Sequence, residues 1–338
     1  MDLNTAWFLL VWFLLAGYAL LDGFDLGVGV LHLFARNDRE RRTHMKAIGP
    51  VWDGNEVWLI AGGACLFAAF PPVYATVFSG FYLALMLVLF ALIFRAVSLE
   101  FRSQVDSPAW RRFWDWSFGL GSLIPAIVFG VAVGNVLRGL PIEADGTLNV
   151  PFLSLLNPYA MLIGVLSLVT FVMHGAAFLA LKTEGDLQKR MARWTIGGWT
   201  AFVLLYLVAT VATLFVSPFL FDGVLSNPLF WIFFLALLGA VVYVPVANRA
   251  GKFLRAFLAS SVTIVAMVGL AATSLFPRMV PSSPDLANSL TIYNASSTPR
   301  TLTVMLIIAL IGVPIMLAYT AYIYKVFAGK VTIAEDGY

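Results

Sequence analysis

Residues 7–34, WFLLVWFLLAGYALLDGFDLGVGVLHLF, decide the fold of this 338-residue chain. An apolar run of about 20 residues crosses a membrane as a helix, because only a helix or a closed barrel satisfies its backbone in lipid. Asp22 and Asp25 interrupt this run, and a charge inside a membrane span is costly enough to need a reason. The stretch therefore predicts a membrane helix with two carboxylates that have a functional or a structural purpose.

The composition of the whole chain is typical of a membrane protein. Hydrophobic residues make up 61% and charged residues 12%, well outside the range of soluble domains. A net charge of only +3 does not favour a nucleic-acid-binding surface, so we expect no nucleic-acid partner. The single cysteine, Cys65, excludes an internal disulfide or a zinc cage built from cysteines, and we expect it to pack as a small apolar residue.

Nine apolar runs are long enough to span a membrane. We predict an all-α integral membrane protein in which residues 1–338 form one polytopic domain. The first run lacks a basic segment before it and a cleavage site after it, so we expect it to remain in the mature protein. Phe70, Pro71 and Pro72 predict a tight hairpin between the second and third runs. The runs lie at roughly 7–34, 48–70, 73–94, 114–137, 158–181, 194–219, 228–247, 253–277 and 301–327.

The distribution of basic residues predicts the orientation of the chain. Of the 21 lysines and arginines, only Arg138, Arg278 and Arg300 follow the even-numbered runs. The other eighteen, Arg95 and Arg102 among them, follow the odd-numbered runs or lie at the C-terminus. Because connections rich in lysine and arginine stay in the cytoplasm, we predict an outer N-terminus and a cytoplasmic C-terminus.

Two pairs of carboxylates in the first two runs are candidates for chemistry. Asp22 and Asp25 are three residues apart, as are Asp53 and Glu56, so we expect each pair to share one helix face. Helix rise places Asp25 and Asp53 in the cytoplasmic half of the membrane. Such a line of protonatable groups is typical of a proton intake path. The alternative is structural: the acids pair with arginine or lysine, or cap interrupted helical turns.

Other residues of the first two runs have more ordinary interpretations. Gly23 and Gly27 have the small-residue spacing that lets two helices approach closely. Trp52 and Trp58 flank the second acidic pair, so we expect them to line a pocket or to contact a partner. Most of the remaining tryptophans lie near span ends, where an aromatic belt is expected.

Three histidines are the only candidates for haem ligation. His32 and His174 lie in apolar runs and His44 lies in a connection. A single buried histidine is more often a hydrogen-bonded core residue than a ligand, and Met173 cannot clamp the same iron as its neighbour His174. We therefore expect no haem ligand, no metal site and no catalytic residue in this chain.

Several motifs along the chain carry a resemblance to a known family. The two longest are GYALLDGFDLGVG at 17–29 and GPVWDGNEVWL at 49–59. Shorter ones are FSGFY at 78–82, RRFWDW at 111–116, LNP at 156–158, FP at 276–277, PSS at 281–283 and NSLT at 288–291. Together they resemble subunit II of the cytochrome bd-type quinol oxidases over nearly the whole length. The compact connection from Pro218 to Pro228 resembles the cyanide-insensitive branch.

The resemblance implies a respiratory complex in a bacterial inner membrane. Subunit I would bind the quinol and three haems, two of type b and one of type d or b. The complex would oxidise quinol and reduce oxygen to water with cytoplasmic protons, so that turnover is electrogenic without pumping. This chain would be the haem-free partner, with two four-helix bundles and one peripheral helix. Some members hold a structural quinone in subunit II, and a small single-span third subunit is common.

The resemblance also implies roles for individual residues. The aspartate that matches Asp53 belongs to a proton path that continues into subunit I, and the tryptophan that matches Trp58 lies beside a route for oxygen. Glu56 stands where many members have glutamine. Since adjacent buried carboxylates titrate together, we expect Glu56 to modulate the proton intake path of Asp53, Asp25 and Asp22.

Two other functions are compatible with parts of the sequence. A secondary transporter would also have many spans, acids at membrane depth and breaks such as Pro71-Pro72, but no pair of interrupted spans recurs in two halves. A purely structural scaffold would need its aspartates for assembly only. We expect lipid contacts in all three cases.

Overall fold

The computed structural model describes residues 2–144, 148 and 150–332, and α-helices dominate them. Asp2 caps the first helix by accepting a hydrogen bond from the Thr5 N–H at 2.7 Å. The helices are α1 Leu3–His32, α2 Asp38–Ile48, α3 Trp52–Ala69, α4 Pro71–Gly80, α5 Tyr82–Phe101, α6 Pro108–Arg138, α7 Pro158–Lys182, α8 Gly185–Val216, α9 Pro228–Arg249, α10 Phe253–Leu275 and α11 Pro299–Val326. Two short strands, β1 Arg278–Val280 and β2 Leu290–Thr291, pair antiparallel.

Within the described residues, eight helices are long and apolar enough to cross a membrane: α1 and α5 to α11. The second predicted run corresponds to α3, whose first two turns carry Asp53, Asn55 and Glu56. Its 18 residues span about 27 Å, close to the thickness of a hydrocarbon core. The nine-span topology and its orientation stay predictions.

The third predicted run, 73–94, is wrong in its bounds. The chain turns at Phe70 as expected, but the next element is the ten-residue helix α4, which ends at Gly80. The long helix α5 then continues to Phe101, so Arg95 lies inside a membrane helix and not in a connection. The predicted run merges α4 with the start of α5, because the residues on both sides of their junction are apolar.

The long helices pack as two groups of four. In the first group α1 contacts α3 and α6, and α5 contacts α6; in the second α7 contacts α8 and α10, which both contact α9. Helix α7 also packs against α1 and α6, which joins the groups. Helix α11 touches α1 and α3, but only 6% of its most apolar window is buried. The arrangement as two four-helix bundles and one peripheral helix in a membrane stays a prediction.

Glycines on α1 allow the two groups to meet. A Cβ on Gly27 would lie 2.6 Å from the carbonyl carbon of Phe171 and 3.1 Å from the Cα of Gly175, both on α7. A Cβ on Gly23 would lie 2.7 Å from the Phe171 ring. The prediction of close packing at Gly23 and Gly27 is confirmed, with α7 as the neighbour.

We expect the substitution Gly27→Ala to lower the stability of the protein by about 1–3 kcal/mol or more, because the added methyl group meets backbone that cannot rotate away. Gly239→Ala is the matched control, since a Cβ there meets nothing within 4 Å. Thermal unfolding of the detergent-solubilised protein measures both variants. Equal stability of the two variants would contradict this packing.

The connections at the two ends of the bundle are structured. Helix α2, in a region predicted as a loop, is capped by Asn37, whose side chain accepts from the Glu40 N–H at 2.9 Å. Its Met45 and Ile48 pack in a core with Phe178 and neighbouring residues of α7. At the opposite end of α3, Ser297 of the segment that carries β1 and β2 donates its N–H to the Ala69 carbonyl at 2.8 Å.

Candidate functional site

A buried ion cluster lies where α1, α3 and α5 meet. Arg95 of α5 has no solvent-exposed surface, and its Nη2 donates to Asp22 Oδ1 at 2.7 Å. Its Nη1 donates to Glu56 Oε1, also at 2.7 Å. Asp25 Oδ2 is 4.0 Å from Nη2. Asp22 and Asp25 are completely buried, whereas the Glu56 side chain is 22% exposed. We call Asp22, Asp25, Glu56 and Arg95 the Arg95 cluster.

The charges in the Arg95 cluster do not balance. Three carboxylates face one guanidinium, so full ionisation would leave two negative charges uncompensated in buried surroundings. Low-dielectric surroundings penalise such charges strongly. The outer carboxylate oxygens, Asp22 Oδ2 and Asp25 Oδ1, are buried without a hydrogen-bond partner within the described chain. The arrangement therefore favours a proton held among these carboxylates, and it leaves oxygens free to accept one.

Asp25 connects to the edge of the bundle through two side chains. Asn55 donates from Nδ2 to Asp25 Oδ2 at 2.7 Å, and Tyr324 of α11 donates its hydroxyl to Asn55 Oδ1 at 3.0 Å. Tyr324 also lines a cavity of about 310 Å³ between the ends of α2, α7 and α11, together with Lys46 and Lys182. Asp25 is therefore two side chains from a cavity at the predicted cytoplasmic end.

The two members of the second acidic pair have different surroundings. Glu56 reaches Arg95, whereas Asp53 is exposed on α3; that the two share one helix face stays a prediction. Residues three apart on a helix differ by about 60° around its axis, which is enough to divide them between core and surface. Asp53 is not brought together with Asp22 and Asp25.

The two tryptophans expected beside a pocket or partner lie within the packing of the chain. Trp58 is 3% exposed, and its ring occupies the space that a Cβ on Gly17 would need. It packs in a core with Leu14 and Tyr18 of α1. Trp52 is half-buried against the core that α2 and α7 share.

Sequence reasoning missed Arg95, Asn55 and Tyr324. The predicted third run ends at residue 94, which places Arg95 in a connection, whereas α5 continues to Phe101. Its signal was present, since it is the only basic residue in Tyr82–Phe101, YLALMLVLFALIFRAVSLEF. Asn55 and Tyr324 are 269 positions apart, and no local sequence pattern indicates that they are in contact.

A second charged cluster lies at the α2 end of the bundle. Asp115 of α6 accepts from Arg102 Nε at 2.5 Å and lies 2.8 Å from both His32 Nε2 and Arg41 Nη1. Arg102 Nη2 also pairs with Asp38 at 2.6 Å. Helix α2 is thereby fastened to α1, α5 and α6. Burial lowers the pKa of His44, on α2, well below its ordinary value, so the imidazole is neutral.

The contacts of His174 and His32 do not favour axial ligation of haem. His174 engages both ring nitrogens, Nδ1 with Ser260 Oγ at 2.7 Å and Nε2 with the Leu20 carbonyl at 3.1 Å. His32 is paired with Asp115, and the ring of His44 packs edge-on against His32. Over the described ranges no group of three His, Cys, Asp or Glu side chains is placed to hold a metal ion.

Comparison with known proteins identifies the group to which this fold belongs. The sequence profile of cytochrome bd terminal oxidase subunit II matches residues 3–327. Cytochrome bd-I ubiquinol oxidase subunit 2 of Escherichia coli is 38% identical over 98% of this chain and 95% of its own length. Cytochrome bd ubiquinol oxidase subunit 2 of Bacillus subtilis is 38% identical over 99% and 98%. The fold matches the bd oxidase structure from Geobacillus thermodenitrificans with a TM-score of 0.78, at 17% identity, over 97% of this chain and 99% of that chain.

Proposed function

The chain belongs to the family of cytochrome bd terminal oxidase subunit II, and we propose that it is the haem-free subunit that delivers protons within a bd-type quinol oxidase. The Arg95 cluster is the observation that carries this proposal. It brings three carboxylates and one guanidinium together on α1, α3 and α5, within helices that we expect to cross the membrane. A respiratory oxidase needs protons at a buried centre, and carboxylates are the side chains best suited to pass them.

Asp25 is the proton carrier in this proposal, and Asp22 and Arg95 set its surroundings. Asp22 is fixed by its ion pair at 2.7 Å, whereas Asp25 is 4.0 Å from Arg95 and accepts a neutral hydrogen bond from Asn55. A weakly paired carboxylate gains and loses a proton with less rearrangement than a tightly paired one. The Tyr324 hydroxyl and the adjoining cavity support an approach from the cytoplasmic end.

The two remaining candidates have roles at the surface and in the packing. Asp53 is exposed on α3, so we assign it to the face that meets the haem-bearing subunit I, where it would extend the path into that subunit. Trp58 contributes an apolar wall between α1 and α3, which suits a role beside an oxygen route. Trp52 holds the start of α3 against α2.

The complex of this proposal follows the family. Haems b and d, or three haems b, belong to subunit I and supply the electron transfer from quinol to oxygen. Protons come from the cytoplasm, so turnover is electrogenic without pumping. The chain would lie in the bacterial inner membrane with its N-terminus outside. A small single-span subunit and a structural quinone are further expected components.

Purification of the tagged chain from its native membrane tests the assignment. We expect a large haem-bearing subunit to co-purify, with haem bands in the dithionite-reduced minus oxidised spectrum. The same chain expressed alone is expected to be colourless, because both ring nitrogens of His174 and Nε2 of His32 are engaged by other groups of the chain. A lone, colourless chain from native membranes would contradict the oxidase assignment and favour a transporter.

We expect Glu56→Gln to leave oxygen consumption near the wild-type rate. Glutamine keeps an oxygen that can accept from Arg95 Nη1, and Glu56 is the most exposed member of the Arg95 cluster. Oxygen-electrode rates per haem measure the effect. A collapse in turnover would show that Glu56 is an essential proton carrier of the path and not a group that only modulates it.

A further inference from the structure

A basic cavity lies at the turn between α5 and α6, apart from the Arg95 cluster. Its volume is about 410 Å³. Part of its wall is formed by Pro108, the first residue of α6, and by Trp116, about two turns further along the same helix. Its charged lining consists of Arg41, Arg102, Arg111, Arg112, Asp38 and Asp115. Four guanidiniums against two carboxylates give this lining a net charge of +2.

The wall of the cavity is held rigidly. Arg102, whose side chain is 2% exposed, is fixed by both Asp115 and Asp38. The side chain of Trp110 donates to the Phe101 carbonyl at 2.8 Å and so ties the end of α5 to the start of α6. No side chain caps the N-terminus of α6. The positive end of this 31-residue helix therefore adds to the field of the arginines.

Arg111 and Arg112 are the groups of the lining best able to take an anion. The partner of Arg111 is Asp106, a carboxylate with a 94% exposed side chain, and such surface pairs are weak. Arg112 is exposed at the rim. Guanidiniums bind phosphate oxygens in a bidentate manner, so phosphate is the anion that this lining suits best.

An apolar surface continues from the cavity along α6. Trp116 is 55% exposed, and Phe113 and Leu120 on the same helix are 53% and 42% exposed. Their spacing places them on one face, which runs from the arginines toward the middle of the helix. A basic pocket at the end of membrane helices, continuous with an apolar strip, has the chemistry of a phospholipid headgroup with its acyl chain below.

We propose that the cavity between α5 and α6 binds the phosphate of an anionic phospholipid, whose acyl chain lies along Phe113, Trp116 and Leu120. The charge of the lining favours an anionic lipid over a zwitterionic one. The apolar strip favours a lipid over inorganic phosphate, which has no acyl chain. The bound lipid would fill the recess beside the contacts that fasten α2 to α5 and α6.

Native mass spectrometry of the purified oxidase complex tests the proposal. Wild type, the double variant Arg111→Gln/Arg112→Gln, and the control Arg193→Gln/Arg249→Gln are titrated with phosphatidylglycerol. Arg193 and Arg249 are exposed and lie on α8 and α9, outside the cavity. We expect the double variant to bind about 25-fold more weakly, because each basic residue near a membrane surface contributes a factor of about five. The control is expected to bind like wild type.

Two further titrations, with a zwitterionic lipid and with inorganic phosphate, identify the ligand. We expect phosphatidylcholine to bind at least about fivefold more weakly than phosphatidylglycerol, and millimolar inorganic phosphate to leave the bound lipid in place. Equal affinity of wild type and the Arg111/Arg112 variant for phosphatidylglycerol would contradict a lipid site at this cavity. Equal binding of the two lipids would contradict selectivity for an anionic headgroup. Ready displacement by phosphate would show that free phosphate is the occupant. The single variant Arg112→Gln repeats the test if the double variant fails to assemble.

Discussion

Replacing Arg95 with methionine is expected to remove most of the assembled oxidase from the membrane. Arg95 has no exposed surface and bridges Asp22 to Glu56, with Asp25 at 4.0 Å. Removing one partner from a buried ion pair costs about 3–5 kcal/mol, because the other charge is left uncompensated. Such a loss is a large fraction of the total stability of a folded domain, about 5–15 kcal/mol. Haem absorbance per milligram of membrane protein measures the assembled complex.

Three variants separate the loss of charge balance from other effects. Adding Asp22→Asn and Glu56→Gln to Arg95→Met is expected to restore part of the yield, since neutral amides then replace the two carboxylates that pair directly with Arg95, and only Asp25 remains. Arg95→Lys should be intermediate, because an ammonium cannot reproduce the fork that reaches two carboxylates. Arg138→Met, at the exposed end of α6, is the control. A wild-type yield of Arg95→Met would contradict the importance of the Arg95 cluster for the fold.

The substitution Asp25→Asn is expected to lower oxygen reduction per assembled haem by at least about tenfold, while leaving assembly nearly unchanged. An asparagine at this position keeps an oxygen that can accept the hydrogen bond from Asn55 Nδ2. The ion pair between Arg95 and Asp22 is untouched. The variant therefore removes a proton carrier and little else. Quinol-driven oxygen consumption, normalised to haem, is the measurement.

The control for Asp25→Asn is Asp186→Asn, a fully exposed carboxylate in the first turn of α8. We expect it to turn over like wild type. If this chain were only a scaffold, Asp25→Asn would lower the amount of complex, and the turnover of each assembled complex would be unchanged. That outcome would remove the proton path from the proposal and keep the family assignment.

The membrane architecture could be predicted from sequence because burial in lipid is a property of composition over 20 residues. Eight of the nine predicted runs lie within single helices or extend beyond them by only a few residues. The start of α5 could not be found, because residues 73–94 are apolar on both sides of the short break at Phe81. Hydropathy averages the polarity of a segment, so it does not detect a turn when the residues on both sides of that turn are apolar.

The candidate site was predicted in part. Asp22, Asp25 and Glu56 can be singled out from sequence because carboxylates inside apolar runs are costly. The structural alternative, pairing with an arginine, also applies, since Arg95 contacts Asp22 and Glu56. Asp53 could not be separated from Glu56 by spacing alone, because the division between core and surface depends on where α1 and α5 pack. Proton transfer through these groups stays a prediction.

Proton uptake during a single turnover tests the central claim most directly. The fully reduced complex is mixed with oxygen in weakly buffered solution that contains a pH-indicator dye, and wild type is compared with Asp25→Asn. We expect dye-reported uptake to slow in the variant by the same factor as turnover. Uptake at the wild-type rate in Asp25→Asn would contradict the claim that this chain delivers the protons.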